Sequence, residues 1–337
     1  MVELTPRQER VLGQVIKAYV ATAQPVSSKS LLEIAGMRVS SATIRNEMAE
    51  LEELGYLTHP HTSAGRVPTD AGYRYFVEHL LGESELPLQE QNTIRHQFHQ
   101  ARTEMSQWMQ LAAAVLARSA RSASLVTAPR LDSPILRRLE LISTQSRLVL
   151  LVLVLEGGTV RQRIVTLKEP MTQEALSQVG AKLNGHYAGD TSLVMRAKFG
   201  GLAEFEQDVM ALVIELMETG GQSSAETYRD GLKEVLREPE FTDQDGARAI
   251  VGAIEQPDFF DQITPPVGTV QVVIGGEGRW RELSACSMVV ARYGVEGYAT
   301  GTLGVLGPTR MPYSRAISTV RYVADLMSNL VSDLYAE

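Results

Sequence analysis

Arg45 and Asn46 stand side by side, just after Ser40, Ser41 and Thr43, in the run from Val39 to Leu57. An arginine can pair bidentately with a guanine edge and an asparagine with an adenine edge, whereas short hydroxyl side chains more often hold phosphate oxygens. Such a set can address a base pair only if one rigid element carries all of it. The run supplies that element. Ser40 or Ser41 can accept a bond from the orphan amides of a first helical turn, and Gly55 offers the left-handed residue that ends a helix. Between them Ile44, Met48, Leu51 and Gly55 fall on one face, while Ser41, Ala42, Arg45, Asn46 and Ala49 fall on the other. The outward side chains are short enough to let a backbone approach the floor of a groove.

The flanking segments fit a helix-turn-helix followed by a wing. Thr5-Pro6-Arg7-Gln8 reads as a capping box with proline at the first helical position, and Val11, Leu12, Val15, Ile16, Tyr19 and Val20 form the stripe that follows. A second short helix runs from a Ser27 or Ser28 cap through Leu31, Leu32 and Ile34 to Gly36. Three helices in about 50 residues is the order of a helix-turn-helix unit. After Gly55, residues 56–58 read as a short strand, 66–67 as its return and 59–65 as a turn-rich tip. His61, Thr62, Ser63 and Arg66 at that tip would touch the phosphate backbone or an adjacent groove. Thr69 can cap a fourth helix carrying Tyr73, Phe76, Val77, Leu80 and Leu81. The chain has a formal net charge of -8, which argues against indiscriminate coating of nucleic acid. Locally the balance differs: residues 54–69 contain no acid, and Arg38, Arg45, Arg66 and Arg74 could gather on one side. The competing reading is a winged helix used for protein contacts, with Arg45 and Arg66 as solvated surface charges.

Beyond a polar linker from Gly82 to Pro87, residues 88–121 carry an apolar stripe at helical spacing and predict one long helix. Such a stripe belongs to a core or a dimer seam. Strands are expected at 125–128, 139–143, 148–155 and 160–167, with Gly157-Gly158 as a hairpin turn. Helices then break the rhythm at 202–217, 225–237 and 245–254, before strands resume at 270–274, 288–293 and 297–303 and a last amphipathic helix closes the chain. The pattern is α+β and multidomain: an antiparallel α/β sensory domain interrupted by a helical module at about 191–262.

Several classes of chemistry find no support. Cys286 is the only cysteine, so there is neither an intrachain disulfide nor a thiolate metal site, and a lone buried thiol is the plain reading. The six histidines form no HExxH, and the glycine runs at 275–278 and 301–304 lack the spacing of a phosphate-binding loop. There is no Gly-x-Ser-x-Gly. No catalytic residue, metal or cofactor is therefore expected, and an enzyme with an accessory winged helix is the remotest alternative. The longest apolar run, Leu148 to Leu155, is far below the roughly 18 residues of a membrane span. With no apolar signal core at the N-terminus, a cytoplasmic location is the expectation.

The block from Val39 to Leu57, continued by Pro60-His-Thr-Ser-Ala-Gly-Arg-Val-Pro-Thr69 and Gly72-Tyr-Arg74, resembles the heat-inducible transcription repressor family HrcA. A second block, Gly301-Thr-Leu-Gly-Val-Leu-Gly-Pro-Thr-Arg-Met-Pro-Tyr313, is similar to the family's C-terminal signature, so the resemblance runs nearly the whole chain. It implies a winged-helix domain at 1–82, a GAF-like domain built from 83–190 and 263–337, and a dimerising domain inserted at 191–262. It further implies a homodimer on double-stranded DNA, at the inverted-repeat operator called CIRCE upstream of chaperone operons. By the same resemblance, repression is expected to hold without stress and to be relieved by heat through the availability of the chaperonin GroEL. The alternative regulator would bind a metabolite in the GAF-like domain, between the strands after Leu139 and those before Leu303.

Overall fold

The computed structural model describes residues 4–35, 39–60, 65–82, 85–101, 104–131, 134–198, 200–219, 226–241, 244–256, 259, 263, 265–275, 277 and 283–335. They form a mixed α/β chain with antiparallel sheets that divides into two compact units. The first comprises Met1–Ala128, Thr227–Tyr293 and Gly301–Ser328; the second comprises Pro129–Glu226, Gly294–Thr300 and Asn329–Glu337.

The first unit opens with α1 (Pro6–Thr22), α2 (Ser28–Ala35) and α3 (Ser41–Glu53). The capping box is present in full: the Gln8 amide donates to Thr5 Oγ1, and the Thr5 amide donates to Gln8 Oε1 at 2.9 Å. Leu12, Ile16, Leu31, Ile44 and Leu51 are fully buried where the three helices meet. A two-stranded ribbon follows, β1 (Leu57–Thr58) against β2 (Val67–Pro68), and then α4 (Asp70–Tyr75), whose last turn continues as π-helix over Phe76–Leu80. Thr69 caps α4 by accepting from the Gly72 amide.

Residues 88–121 are two helices, α5 (Leu88–Gln100) and α6 (Met105–Ala120), where one was expected. The contact that explains the break is Ser119 Oγ donating to Glu90 Oε1 at 2.8 Å. In one straight helix those residues would lie about 43 Å apart. The apolar period continues across the break, so the stripe alone could not show a hairpin.

The sheet of this unit is built on β3 (Ala123–Thr127); β4 (Arg130–Leu131), β5 (Leu136–Gln145), β6 (Leu148–Leu155) and β7 (Val160–Thr166) follow in the second unit. Next in chain order come α7 (Gln173–Tyr187), α8 (Ser192–Ala197) and α9 (Glu204–Thr219), also in the second unit, and then β8 (Thr227–Asp230), α10 (Leu232–Val235), α11 (Gln244–Glu255), β9 (Val270–Ile274), β10 (Cys286–Val295), β11 (Ala299–Pro308) and α12 (Tyr313–Tyr335). The strand order β8-β3-β11-β10-β9 places β11 centrally, with Leu303 opposite Val126 and Leu306 opposite Ala123. The helix expected at 225–237 is instead a strand and a short helix: Thr227-Tyr228-Arg229 pairs with β3, and Gly231, at φ +76°, turns the chain before α10. β-branched and aromatic residues favour the pleated edge, which a 3.6-residue count missed.

In the second unit β5-β6-β7 make a sheet of their own. Along β6, Val149, Leu151, Leu153 and Leu155 are buried and the alternate residues half-buried, so an apolar run read as a buried strand buries one face. α7, which sequence periodicity did not single out, covers β5. Asn184 accepts from the Leu139 amide at 2.7 Å and donates to its carbonyl at 2.8 Å, and Gln173 does the same for Ser143 and Leu141 at 2.7 and 2.9 Å. Side-chain amides thus occupy groups that an edge strand leaves open. The second unit takes in 129–226 together with 294–300 and 329–337, bounds that differ from the insertion expected at 191–262. Among the described residues β5, β6 and β7 pair only with one another, while β8 onward returns to the β3 sheet. The strands after Leu139 and those before Leu303 belong to two separate sheets. Among the described residues no helix is long and apolar enough to cross a membrane.

The second signature block explains itself through packing. At Gly304 a Cβ would fall 2.5 Å from the Val289 carbonyl oxygen, so only glycine fits beside β10. Arg310 Nε donates to Glu240 Oε1 at 2.6 Å, and its Nη2 reaches Glu238. The Tyr313 hydroxyl lies 2.6 Å from the Thr309 carbonyl and 2.8 Å from Ser287 Oγ.

Candidate nucleic-acid interface

Ser40 is the N-cap of α3, with extended backbone at φ −76° and ψ 154°, and its Oγ accepts from the Thr43 amide at 3.1 Å. Thr43 Oγ1 sits 2.9 Å from the same oxygen. These two hydroxyls share one hydrogen bond at the start of the helix, which leaves one O–H to donate to an approaching phosphate oxygen. Ser41 Oγ lies 3.2 Å from Ser28 Oγ and ties the starts of α2 and α3 together. Ile44, Met48 and Leu51 are buried, whereas Ala42, Arg45 and Asn46 are exposed on the opposite face. The expected inner stripe also contains Glu47, 7% exposed and paired with Arg7 Nε at 2.5 Å. That buried carboxylate was invisible in the hydrophobic count.

The ribbon is a tied base rather than a free arm. Val26 and Arg66 exchange two backbone bonds of 2.9 Å, which adds the loop before α2 to the edge of β2. Arg66 donates through Nε and Nη2 to Glu52 Oε2, both at 3.0 Å, and His59 reaches Glu52 Oε1 from the other side. Burial alone would raise the Glu52 carboxyl, but the bonds from His59 and Arg66 outweigh it and hold it below the usual carboxylate range. A lowered carboxylate stabilises the fold above its unfolded pKa and ceases to do so as pH falls through its folded value. The clamp therefore opens on the acid side. Arg66 was expected at the wing tip; it sits at the stem because the end of α3 supplies the acid that residues 54–69 lack. Neither Glu52 nor His59 was expected at the site, although their seven-residue spacing across a helix end and a strand end was there to be noticed.

Of the cations expected to gather from Arg38, Arg45, Arg66 and Arg74, two are engaged by acids. Arg74 turns to Glu277 and the Val272 carbonyl, Arg66 to Glu52, and Arg45 stands exposed. Arg38, His61, Thr62 and Ser63 lie outside the described residues. Replacing Arg66 by alanine should lower the stability of the ribbon more than it changes DNA affinity. A melting temperature lowered by a few degrees, together with an unchanged salt slope of binding, is the expected outcome; a slope reduced by about one would return Arg66 to phosphate contact.

Cys286 is buried, and burial, with Glu240 nearby, pushes its thiol up to about 12, so it stays protonated and unreactive. Among the described residues no group of His, Cys, Asp and Glu could hold a metal ion.

Residues 106–317 match the family model described as the HrcA protein C terminal domain. The chain is 45% identical to the heat-inducible transcription repressor HrcA of Chloroflexus aurantiacus, covering 98% of this chain and 95% of that protein. It is 46% identical to the protein of that name from a Roseiflexus species, over 99% and 96% of the two chains, and 41% identical to one from Dehalococcoides mccartyi, over 99% and 98%. In three dimensions it is similar to a crystal structure of a hypothetical protein, with a TM-score of 0.61 and 25% identity over 98% of each chain. The relatives are named as regulators of transcription, not as enzymes, and their coverage spans both the α3 surface and the Gly304–Tyr313 block. This chain belongs to the HrcA family of heat-inducible transcription repressors.

Proposed function

We propose that the chain represses transcription by reading an inverted-repeat operator as a homodimer, with α1 to α4 and the ribbon acting as a winged helix. The observation that supports this best is α3 itself: three consecutive inward turns are buried, and Arg45 and Asn46 are presented outward from a capped, rigid helix. Arg45 reads a guanine edge and Asn46 an adenine edge, while Ser40, Ser41 and Thr43 hold the phosphate at the helix start, where the dipole favours an anion. Arg38 before the helix and His61, Thr62 and Ser63 at the wing tip remain proposed backbone contacts. Arg45→Ala should weaken operator binding by about 1 to 3 kcal/mol and flatten the preference among operator variants. Fluorescence anisotropy on operator and single-base variants measures it; an unchanged affinity would remove Arg45 from the reading surface.

The sheet β8-β3-β11-β10-β9 with its helices serves as the GAF-like core, and the unit at 129–226 as the inserted dimerising domain. On the outer face of β5-β6-β7, Ile142 pairs with Leu150 and Leu150 with Ile164, so one apolar row crosses all three strands. Ile142 is 43% exposed, Ile164 65% and Val160 59%. An apolar patch of that kind is an interaction surface, and a second copy, two-fold related, suits a palindromic target. Ile164→Asp should shift the chain toward monomer in sedimentation. A dimer of undiminished affinity would place the seam elsewhere.

Heat enters through stability. A repressor that is marginally stable and depends on the chaperonin GroEL to stay folded reports the free concentration of that partner by mass action. When unfolded clients occupy the chaperonin, repressor is lost and the CIRCE-type operator is vacated.

A further inference from the structure

Asp70 and Arg74 are four residues apart and share one face of α4. That face is held by the far end of the chain. Arg74 Nη2 donates to the Val272 carbonyl at 2.9 Å and Nε to Glu277 Oε1 at 3.0 Å, with Nη2 also on Glu277 Oε2. Glu277 is itself fixed, accepting from the Ile274 amide at 3.0 Å. Beside this pair Tyr73 meets Tyr313 with ring centroids 5.7 Å apart, and each is 2% exposed. Asp70 rests over Gly275, where a Cβ would fall 2.2 Å from the carboxyl oxygen.

The other side of α4 belongs to the DNA-reading unit. Thr69 Oγ1 donates to the Gly55 carbonyl at 2.6 Å, the Thr69 amide donates to the Tyr56 carbonyl at 3.1 Å, and the Tyr56 and Tyr75 rings stand 5.2 Å apart. α4 is thus grasped by the ribbon on one side and by the end of β9 and the start of α12 on the other. Tyr73 and Arg74 belong to the first signature block and Tyr313 to the second, while Val272, Gly275 and Glu277 lie in neither, and a sequence separation of about 200 residues or more hides all of these contacts.

We propose that Arg74 and Glu277 are positioning residues for operator recognition: without touching DNA, they fix the direction in which α3 projects from the β9 sheet. The inference rests on the reading of a palindrome by two copies. On such a site, engagement of the second half is intramolecular, and its effective concentration depends on how well the geometry is preset. A single half-site makes no such demand.

The test compares full-length wild type, Arg74→Met, Glu277→Gln and the double variant on a full inverted repeat and on a single half-site, with circular dichroism as the check on folding. Amide hydrogen exchange in α4 and β9, measured without DNA, reads the joint directly. Each single variant should bind the full repeat about tenfold more weakly, bind the half-site within twofold of wild type and exchange faster at α4 and β9. The double variant should be no worse than the singles, because the two residues act as one pair. An unchanged ratio of full-site to half-site affinity in folded variants overturns the proposal. So does an equal fall on both duplexes, which would place Arg74 in DNA contact or in the folding of the reader. A wild-type chain that bound neither duplex would sink the operator reading itself; the exchange data would then decide the joint alone, and protection unaltered by Arg74→Met would overturn it.

Discussion

Arg310→Met should cost the chain about 2 to 3 kcal/mol of stability, although methionine fills much of the same space. Arg310 is 13% exposed and lies between Glu240 and Glu238, which are 24% and 35% exposed. Burial by itself would disfavour the guanidinium charge, and the bonds to the two glutamates more than offset that. Removing the cation leaves two carboxylates facing each other in a half-dry site, and an uncompensated buried charge costs about 3 to 5 kcal/mol. The partial exposure of the glutamates reduces this, since water screens what it can reach. Urea unfolding followed by circular dichroism would give the number. Adding Glu238→Gln and Glu240→Gln should recover a large part of the loss, because it removes the stranded charge; no recovery would show that packing, not charge, is what Arg310 contributes.

Gly72→Ala should also destabilise, against the usual sign for a glycine inside a helix. Alanine is preferred over glycine there by about 1 kcal/mol. At Gly72, however, a Cβ would fall 2.2 Å from the Tyr56 carbonyl oxygen, an atom of the ribbon backbone that already accepts from the Thr69 amide. The helix cannot keep both that distance and that bond. Forced displacement of packed backbone costs about 1 to 3 kcal/mol, and with α4 anchored on both sides the upper end is expected, so the net change is a loss of about 1 to 2 kcal/mol. Gly252 in α11 provides the contrast, because nothing lies within 4 Å of a Cβ built there. Gly252→Ala should stabilise by up to about 1 kcal/mol. Two denaturation midpoints moving in opposite directions would bear out the argument; both moving upward would show that the close approach at Gly72 is relaxed at little cost.

What the sequence revealed, and what it hid, divides along physical lines. Local rules worked where a cap, a period and a stop agree. Thr5, Ser40 and Thr69 cap the helices they were expected to cap, and the strand at Leu148–Leu155 has the limits its apolar run implied. Long-range facts were not legible. The turn that folds α5 back on α6 leaves the apolar period intact, and Thr227-Tyr228-Arg229 joins β3 from about 100 residues away in the chain. The site shows the same division. Arg45 and Asn46 are exposed as the helical wheel required, since one helix decides it. Arg66 and Arg74 looked equivalent to Arg45 in composition, yet each found an acid, Glu52 or Glu277, that only the folded chain brings near. Counting cations without their partners overstates a basic surface.

The claim at the centre of this account is that two copies of α3 read the two halves of one palindrome. Binding of the full-length chain to an inverted-repeat operator, and to the same duplex with one half scrambled, tests it when affinity and stoichiometry are measured together by sedimentation. Two chains per operator, with affinity falling at least a hundredfold when one half is scrambled, is the outcome this structure leads us to expect. One chain per duplex, bound equally well to both, would contradict it.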